Sequence, residues 1–288
     1  MEKDCIIADS GTDISDNSEL PEISEASDRY KRVPLRITVD SIEFLDFKLD
    51  IKSLLNAMKL CNTKILTACP PPADFLSSFT HKANNFVVTL SSRLSGAYNS
   101  ALTAKDMFLD DVQKNGLIHV FDSKTASAGE TLVTMKVDEL SRQGLPFQDI
   151  VNEVTDYINK VKTFFVINSL DNLIKNGRIS KRDGLIGSMF HVTPIMGDNG
   201  NGEIELKAKA IGWKSAVRKL VDMIGSYDVD FKNSLLAITH VNAFERAMMI
   251  KNDILAKYSF KNVLILKAGG VSTAYADENG IILAFATR

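Results

Sequence analysis

Phe86-Val87-Val88-Thr89-Leu90, followed at once by Ser91-Ser92-Arg93-Leu94-Ser95-Gly96, is the stretch on which the fold turns. Five residues dominated by apolar and β-branched side chains fit a strand buried on both faces, and the small hydroxyl residues and glycine behind it end it in a loop. Residues 96–108 then follow a helical pattern. Strand, loop and helix in that order form the repeating unit of a parallel α/β sheet. The same order recurs at residues 5–8 (CIIA), 65–68 (ILTA) and 117–121 (LIHVF), which makes four expected parallel strands. Asp50 is placed to cap a helix over 51–60, Pro71 and Pro72 to start one over 73–79, and another is expected over 126–143. The segment 13–49 is acidic at first and then alternates through 32–45, which predicts short antiparallel strands.

Beyond Gly144 and Pro146 the pattern changes. A helix over 147–162 leads to a strand over 163–167 and a glycine-containing, exposed segment over 176–187. Residues 192–196, the turn-rich run Gly197-Asp198-Asn199-Gly200-Asn201-Gly202, and residues 203–210 predict a β-hairpin. Helix (215–227), strand (235–240), helix (243–258), strand (263–267) and a last strand (281–286) complete an α+β half. The expected fold is α/β with two domains, a Rossmann-like parallel-sheet domain over 1–155 and an α+β domain with a mixed sheet over 156–288. A ligand site is expected between them. There is no internal repeat or low-complexity stretch.

Composition narrows the function classes. The 288 residues are 45% hydrophobic and 24% charged, the profile of a soluble globular protein. Thirty-six acidic against 34 basic side chains leave a net charge of -2, so no global field holds a polyanion and no nucleic-acid partner is expected. No run reaches the ~18 apolar residues of a membrane helix. Residues 1–9 are too short and acidic for a secretory signal, so a cytoplasmic protein without stable membrane insertion is expected. Cys5, Cys61 and Cys69 have no CxxC spacing and read as buried thiols; His81, His119, His191 and His240 are scattered, so no metal site is expected.

Each expected parallel strand runs into a loop of small or hydroxyl residues: 9–13 (DSGTD), 67–72 (TACPPP), 91–96 (SSRLSG) and 122–129 (DSKTASAG). In open α/β sheets the carboxyl ends of the strands surround the ligand crevice, so these loops should converge. Hydroxyls and free N–H groups at helix starts suit a carboxylate or phosphate. GxxxxGK[ST], GxGxxG and GxSxG are all absent, and neither Ser92 nor Ser95 has an adjacent histidine. Asp110-Asp111 reads as solvated surface. Residues 170–182 (LDNLIKNGRISKR) carry a basic cluster, Arg178, Lys181 and Arg182, suited to a rim beside an anionic head group or a partner contact.

These blocks resemble the DegV-like fatty-acid-binding proteins nearly end to end. Asp9-Ser10 with Asp13 is similar to that family's opening DS..D, and Thr67 stands where its TSQPS begins. Residues 91–101 (SSRLSGAYNSA) match SS.LSGTYQSA, Asp122-Ser123 with Gly129 its next loop, and 170–180 match L..L.KGGRIS. Residues 187–195 follow G..L..KPI with Thr193 in the lysine position. The resemblance implies a two-domain carrier enclosing a long-chain fatty acid such as palmitate, with no cofactor and no catalysis of its own. Thr67 and Ser95 would hold the carboxylate with the Gly96 N–H, and Arg178 would lie near the head group. It further implies, for some members, presentation of the acyl group to the ATP-binding subunit of a fatty acid kinase.

Two departures are visible. TSQPS has become Thr67-Ala68-Cys69-Pro70-Pro71, and the family's HTGPG histidine is replaced by Ser272, with Tyr275 nearby. Neither hydroxyl carries a positive charge. Burying about 14 methylenes at ~0.8 kcal/mol each offers ~11 kcal/mol before association costs, against ~1.5 to 3 for each charge-assisted hydrogen bond. The tail should therefore dominate affinity, with methionines such as Met189 and Met196 suited to line its path. The residues alone leave open a carrier, a lipid-sensing regulatory module, and an acyl or phosphoryl transferase using the serine loops.

Overall fold

The computed structural model describes residues 4–14, 29–61, 63–110, 116–179 and 192–288. Its first strand, β1 (Cys5–Asp9), is wholly buried and passes through a single 3-10 turn, Ser10–Thr12. Then come β2 (Tyr30–Val33), β3 (Arg36–Val39), β4 (Ile42–Leu45) and helix α1 (Ile51–Leu60). Asp50 caps α1 as expected, accepting from the N–H groups of Lys52 and Ser53. β5 (Leu66–Ala68), α2 (Pro72–Ser78), β6 (Asn85–Thr89), α3 (Ala97–Leu109), β7 (Ile118–Asp122) and α4 (Ala128–Arg142) follow.

The second half runs α5 (Phe147–Lys160), β8 (Val161–Val166), α6 (Asp171–Lys175), β9 (Val192–Asp198), β10 (Ile204–Ile211) and α7 (Trp213–Ile224). It ends with β11 (Leu235–His240), α8 (Phe244–Leu255), β12 (Asn262–Lys267), α9 (Gly270–Ala276) and β13 (Ile281–Ala286).

Two main sheets result. The first has the order β2-β1-β6-β7 and all its pairings are parallel. The second, β10-β9-β8-β13-β11-β12, is mixed, with β11 and β12 parallel and the rest antiparallel. The expected α/β architecture with a parallel and a mixed sheet is thus present, and the hairpin forms from β9 and β10.

One strand assignment is corrected. Residues 66–68 do not join the parallel sheet; β5 pairs antiparallel with β3 in a small three-stranded sheet, β4-β3-β5. β5 is only three residues long and Leu66 is 47% exposed, unlike the wholly buried β1 and β6 at the centre of the parallel sheet. The fourth parallel strand is instead β2, at the edge of the sheet, which pairs with β1 from Ile6↔Tyr30 to Asp9↔Val33. Pro34, with no N–H to give a ladder, separates β2 from the β3–β4 hairpin, so the alternating run 32–45 is split between two sheets. Helix α9, entered through Gly269 and Gly270, was not anticipated either. Of the three thiols, only Cys5 is fully buried. Lys181, Arg182, Gly187, Met189, Asp111 and His191 lie outside the described residues.

A shared core joins the sheets. Leu132, Val133, Val137 and Leu140 of α4 pack with Ile6, Phe86 and Val88 of the first sheet and with Ala237, Leu264 and Ala284 of the second. Helix α4 is buried almost all round, as a helix between two layers must be. Among the described residues no helix is long and apolar enough to cross a membrane.

Candidate functional site

A cavity of about 350 Å³, within the range of small-molecule sites, lies between the two main sheets. The four loops read from the sequence all reach it, through Gly11, Thr67 to Cys69, Leu94 to Gly96, and Lys124 to Ser127. From the second sheet come Thr163, Phe165 and Ile167, whose spacing of two turns them to one side of the chain leaving β8. Leu173, Ile204 and Ile282 add further apolar wall, and α9 contributes Val271, Ser272, Tyr275 and Ala276. Thr67, Ser95, Gly96, Arg178, Ser272 and Tyr275 are all among the lining residues. The correction to β5 does not remove Thr67, because the small sheet holds it opposite Ile37.

At the polar end the hydroxyls are arranged with hydrogens to spare. Thr67 Oγ1 and Tyr275 Oη are 2.7 Å apart, so one donates to the other and the second hydrogen is left over. Ser95 Oγ accepts from the Ala97 N–H at 3.2 Å, which occupies a lone pair and not its hydrogen. Gly96 precedes α3 at a start with no side-chain cap. Two hydroxyl donors and free helix-start N–H groups can therefore meet one carboxylate.

Arg178 and Ser272 are placed differently. Arg178 Nε donates to the Leu94 carbonyl at 2.8 Å and Nη1 to the Asn176 carbonyl at 2.6 Å, so the half-buried guanidinium fastens the segment after α6 to the loop that presents Ser95. Gly177, at φ 70°, supplies the left-handed turn that aims it. Ser272, the third residue of α9, lines the cavity on the side where the Gly269 N–H meets Asp13. Ser92 is held by Asp122, at 2.5 Å from Oγ and 3.0 Å from N, and no described histidine lines the cavity.

Beneath the loops lie four buried carboxyl groups, of which sequence reading noticed only Asp9 and Asp13. Asp9 accepts from the N–H groups of Gly11 and Leu90, at 2.8 and 2.9 Å, pinning the β1 loop to the end of β6. Asp13 accepts from Ser127 Oγ at 2.5 Å and the Gly269 N–H at 2.7 Å. Asp46 takes Ser10 Oγ at 2.9 Å and the N–H groups of Gly270 and Val271, at 2.6 and 2.9 Å. These acids link the loops of the first sheet to the start of α9. Burial pushes Asp9 up to about 7 and Asp13 to about 6, and it also raises Asp46. Burial, with Asp9 and Asp13 beside it, holds Glu130 well above the ordinary carboxylate range. Glu130 stands among apolar neighbours in GETLVTM, and a glutamate in so apolar a helix start was the available signal.

Fold and cavity together define a two-sheet α/β binding protein that can enclose a largely apolar molecule with a polar end. The chain belongs to the DegV family: the family profile described as "Uncharacterised protein, DegV family" matches residues 4–287. A DegV domain-containing protein of Streptococcus gordonii is 31% identical over 281 residues, 97% of this chain and 98% of the relative. A DegV family protein of Ruminococcus gnavus, solved with vaccenic acid, is 33% identical with a TM-score of 0.90, covering 99% of this chain and 100% of that one. The fatty acid kinase (Fak) B3 protein of Streptococcus pneumoniae, loaded with linoleic acid, is 31% identical with a TM-score of 0.89 and full coverage of both chains.

Proposed function

We propose that this protein binds one long-chain fatty acid in the cavity between its sheets, with the carboxylate at Thr67, Ser95 and the Gly96 N–H. The observation that carries this is the cavity itself, apolar along Phe165, Ile167, Leu173 and Ile282 and lined at one end by uncharged donors. Neutral hydroxyls suffice because the tail supplies most of the binding free energy. Similarity to proteins solved with vaccenic, heptadecanoic and linoleic acids supports the ligand class.

In this reading residues 1–155 hold the head group and 156–288 cover the chain. Arg178, Ser272 and Tyr275 stand at the rim, and Asp13 and Asp46 hold the start of the rim helix α9 through the N–H groups of Gly269, Gly270 and Val271. The protein acts in the cytoplasm and presents the acyl carboxylate to the ATP-binding subunit of a fatty acid kinase, a role supported by likeness to the Fak B3 protein. Denaturing mass spectrometry of protein purified from cells tests the ligand: about one equivalent of a long-chain fatty acid is expected. Lipid-free protein that also takes up neither palmitate nor oleate would end this reading.

A further inference from the structure

A second cavity, of about 670 Å³, shares no lining residue with the first. It lies at the carboxyl ends of β11 and β12, whose last residues, His240 and Lys267, are register partners. Parallel strand ends beside a helix start are where α/β sheets accept ligands. Two helices begin here. Asp50 caps α1 with its own carboxylate, whereas α8 follows Ala243, which has no capping side chain. The N–H groups of residues 244–246 consequently have no helical acceptor.

His240 points to a ligand independently of that helix start. It is 4% exposed, its Nδ1 accepts from the Ala243 N–H at 3.1 Å, and it is one of the residues lining the cavity. With Nδ1 an acceptor, the neutral imidazole carries its hydrogen on Nε2, and Nε2 has no hydrogen-bond partner among the described residues. A buried donor left unmade is costly. Burial and the charge of Lys267 hold His240 below its ordinary pKa, which favours the neutral ring. Lys52, Lys267 and Arg246 also line the cavity, against Asp50, which is engaged by its own helix, and Glu245. Arg246 is steadied over the Trp213 ring at 4.6 Å, and half-exposed Phe244 stands edge-on to His240 at 5.9 Å.

We propose that this cavity binds a phosphate-type oxyanion, held by the His240 Nε2–H and the open N–H groups at the start of α8, with Lys52 and Lys267 supplying charge. The volume exceeds that of phosphate, and Phe244 at its edge suits the apolar part of a phosphate monoester. The site is independent of the fatty-acid reading.

Nuclear magnetic resonance titration of the histidine ring signals tests this on the full-length protein, with inorganic phosphate in one arm and phenyl phosphate in the other. Ionic strength is matched with chloride. A saturable shift of the His240 signal is expected, with Lys52→Gln and Lys267→Gln each weakening it about tenfold or more and leaving fatty-acid displacement unchanged. Saturation by phosphate alone identifies the free ion; saturation by phenyl phosphate only identifies an ester. The proposal fails if neither probe moves His240, if chloride reproduces the shift, or if both lysine variants bind like the parent. The lysines are surface residues, so the test does not depend on a folded His240 variant.

Discussion

The two cavities occupy the same kind of place, the carboxyl ends of parallel strands, yet the polar groups they offer differ. The larger part of the first is apolar wall, its donors are mostly hydroxyls, and carboxylic acids lie buried behind its loops. The second is lined by Lys52, Arg246 and Lys267 and by an imidazole with an unused donor. The difference follows from where binding free energy can come from. An amphiphile brings its own hydrophobic term and needs the protein only to orient its carboxylate; a small anion brings none and must be held by charge and N–H groups. Buried acids are tolerable behind the first and would defeat the second.

The contrast breaks most visibly if the apolar wall is charged. Phe165→Asp should abolish fatty-acid uptake, a loss beyond about 100-fold, because the tail would have to lie against a carboxylate. Fluorescent fatty-acid displacement reads this directly, and phosphate binding at the second cavity should survive. Persistent tight binding would show that Phe165 does not face the tail.

A smaller loss is expected at the polar end. Thr67→Ala or Ser95→Ala should each remove one donor and weaken binding by about 10- to 150-fold, corresponding to ~1.5 to 3 kcal/mol. The double variant should depart from additivity, since in the proposed site both hydroxyls serve one anion, and Thr67 is shared with Tyr275. Unchanged affinity in the double variant would return both residues to a purely structural role.

Gly129→Ala probes packing between the sheets rather than the ligand. A Cβ there would lie 2.2 Å from Thr125 Oγ1 and 2.5 Å from Thr163 Oγ1, the two hydroxyls that pair at 2.7 Å between the loop and β8. Overpacking of this kind costs about 1 to 3 kcal/mol, and the melting temperature should fall by several degrees. A melt like the parent's would mean the sheets separate there at no cost.

The buried acids predict the smallest shift. Asp9 and Asp13 have folded pKa values of about 7 and 6, above the ordinary carboxylate value, so the folded state binds more protons than the unfolded chain. Their contribution to stability is complete below the ordinary carboxylate range and is lost progressively as the pH rises from there to about 6 for Asp13 and about 7 for Asp9. His119 and His240, held below their ordinary value by burial, act in the opposite direction. Comparing Asp9→Asn with the parent cancels the histidines: between pH 5 and 8 the parent should lose more melting temperature than the variant, by a few degrees. Equal losses would show that Asp9 does not titrate in that window.

Much of this molecule was determined by local sequence. Asp50 announced the start of α1 because a side-chain carboxylate two and three residues ahead of open N–H groups makes its bond within one turn of chain. The runs at β1, β6 and β7, the GDNGNG hairpin and the four hydroxyl loops were equally legible, since apolar runs and turn residues act within a few positions. What tertiary structure alone decided were matters of partnership. That 30–33 and not 66–68 joined β1, at the edge of the parallel sheet, was settled by pairing between distant segments. Tyr275 reached Thr67 across 208 positions, Asp46 reached Gly270 across 224, and Asp13 reached Gly269 across 256. No local pattern encodes such pairs, because an isolated hydroxyl or carboxylate looks the same whether it will meet water or a buried N–H. His240 is the sharpest case: its position at a strand end was readable, but its unused hydrogen exists only because the fold took Nδ1 and buried Nε2.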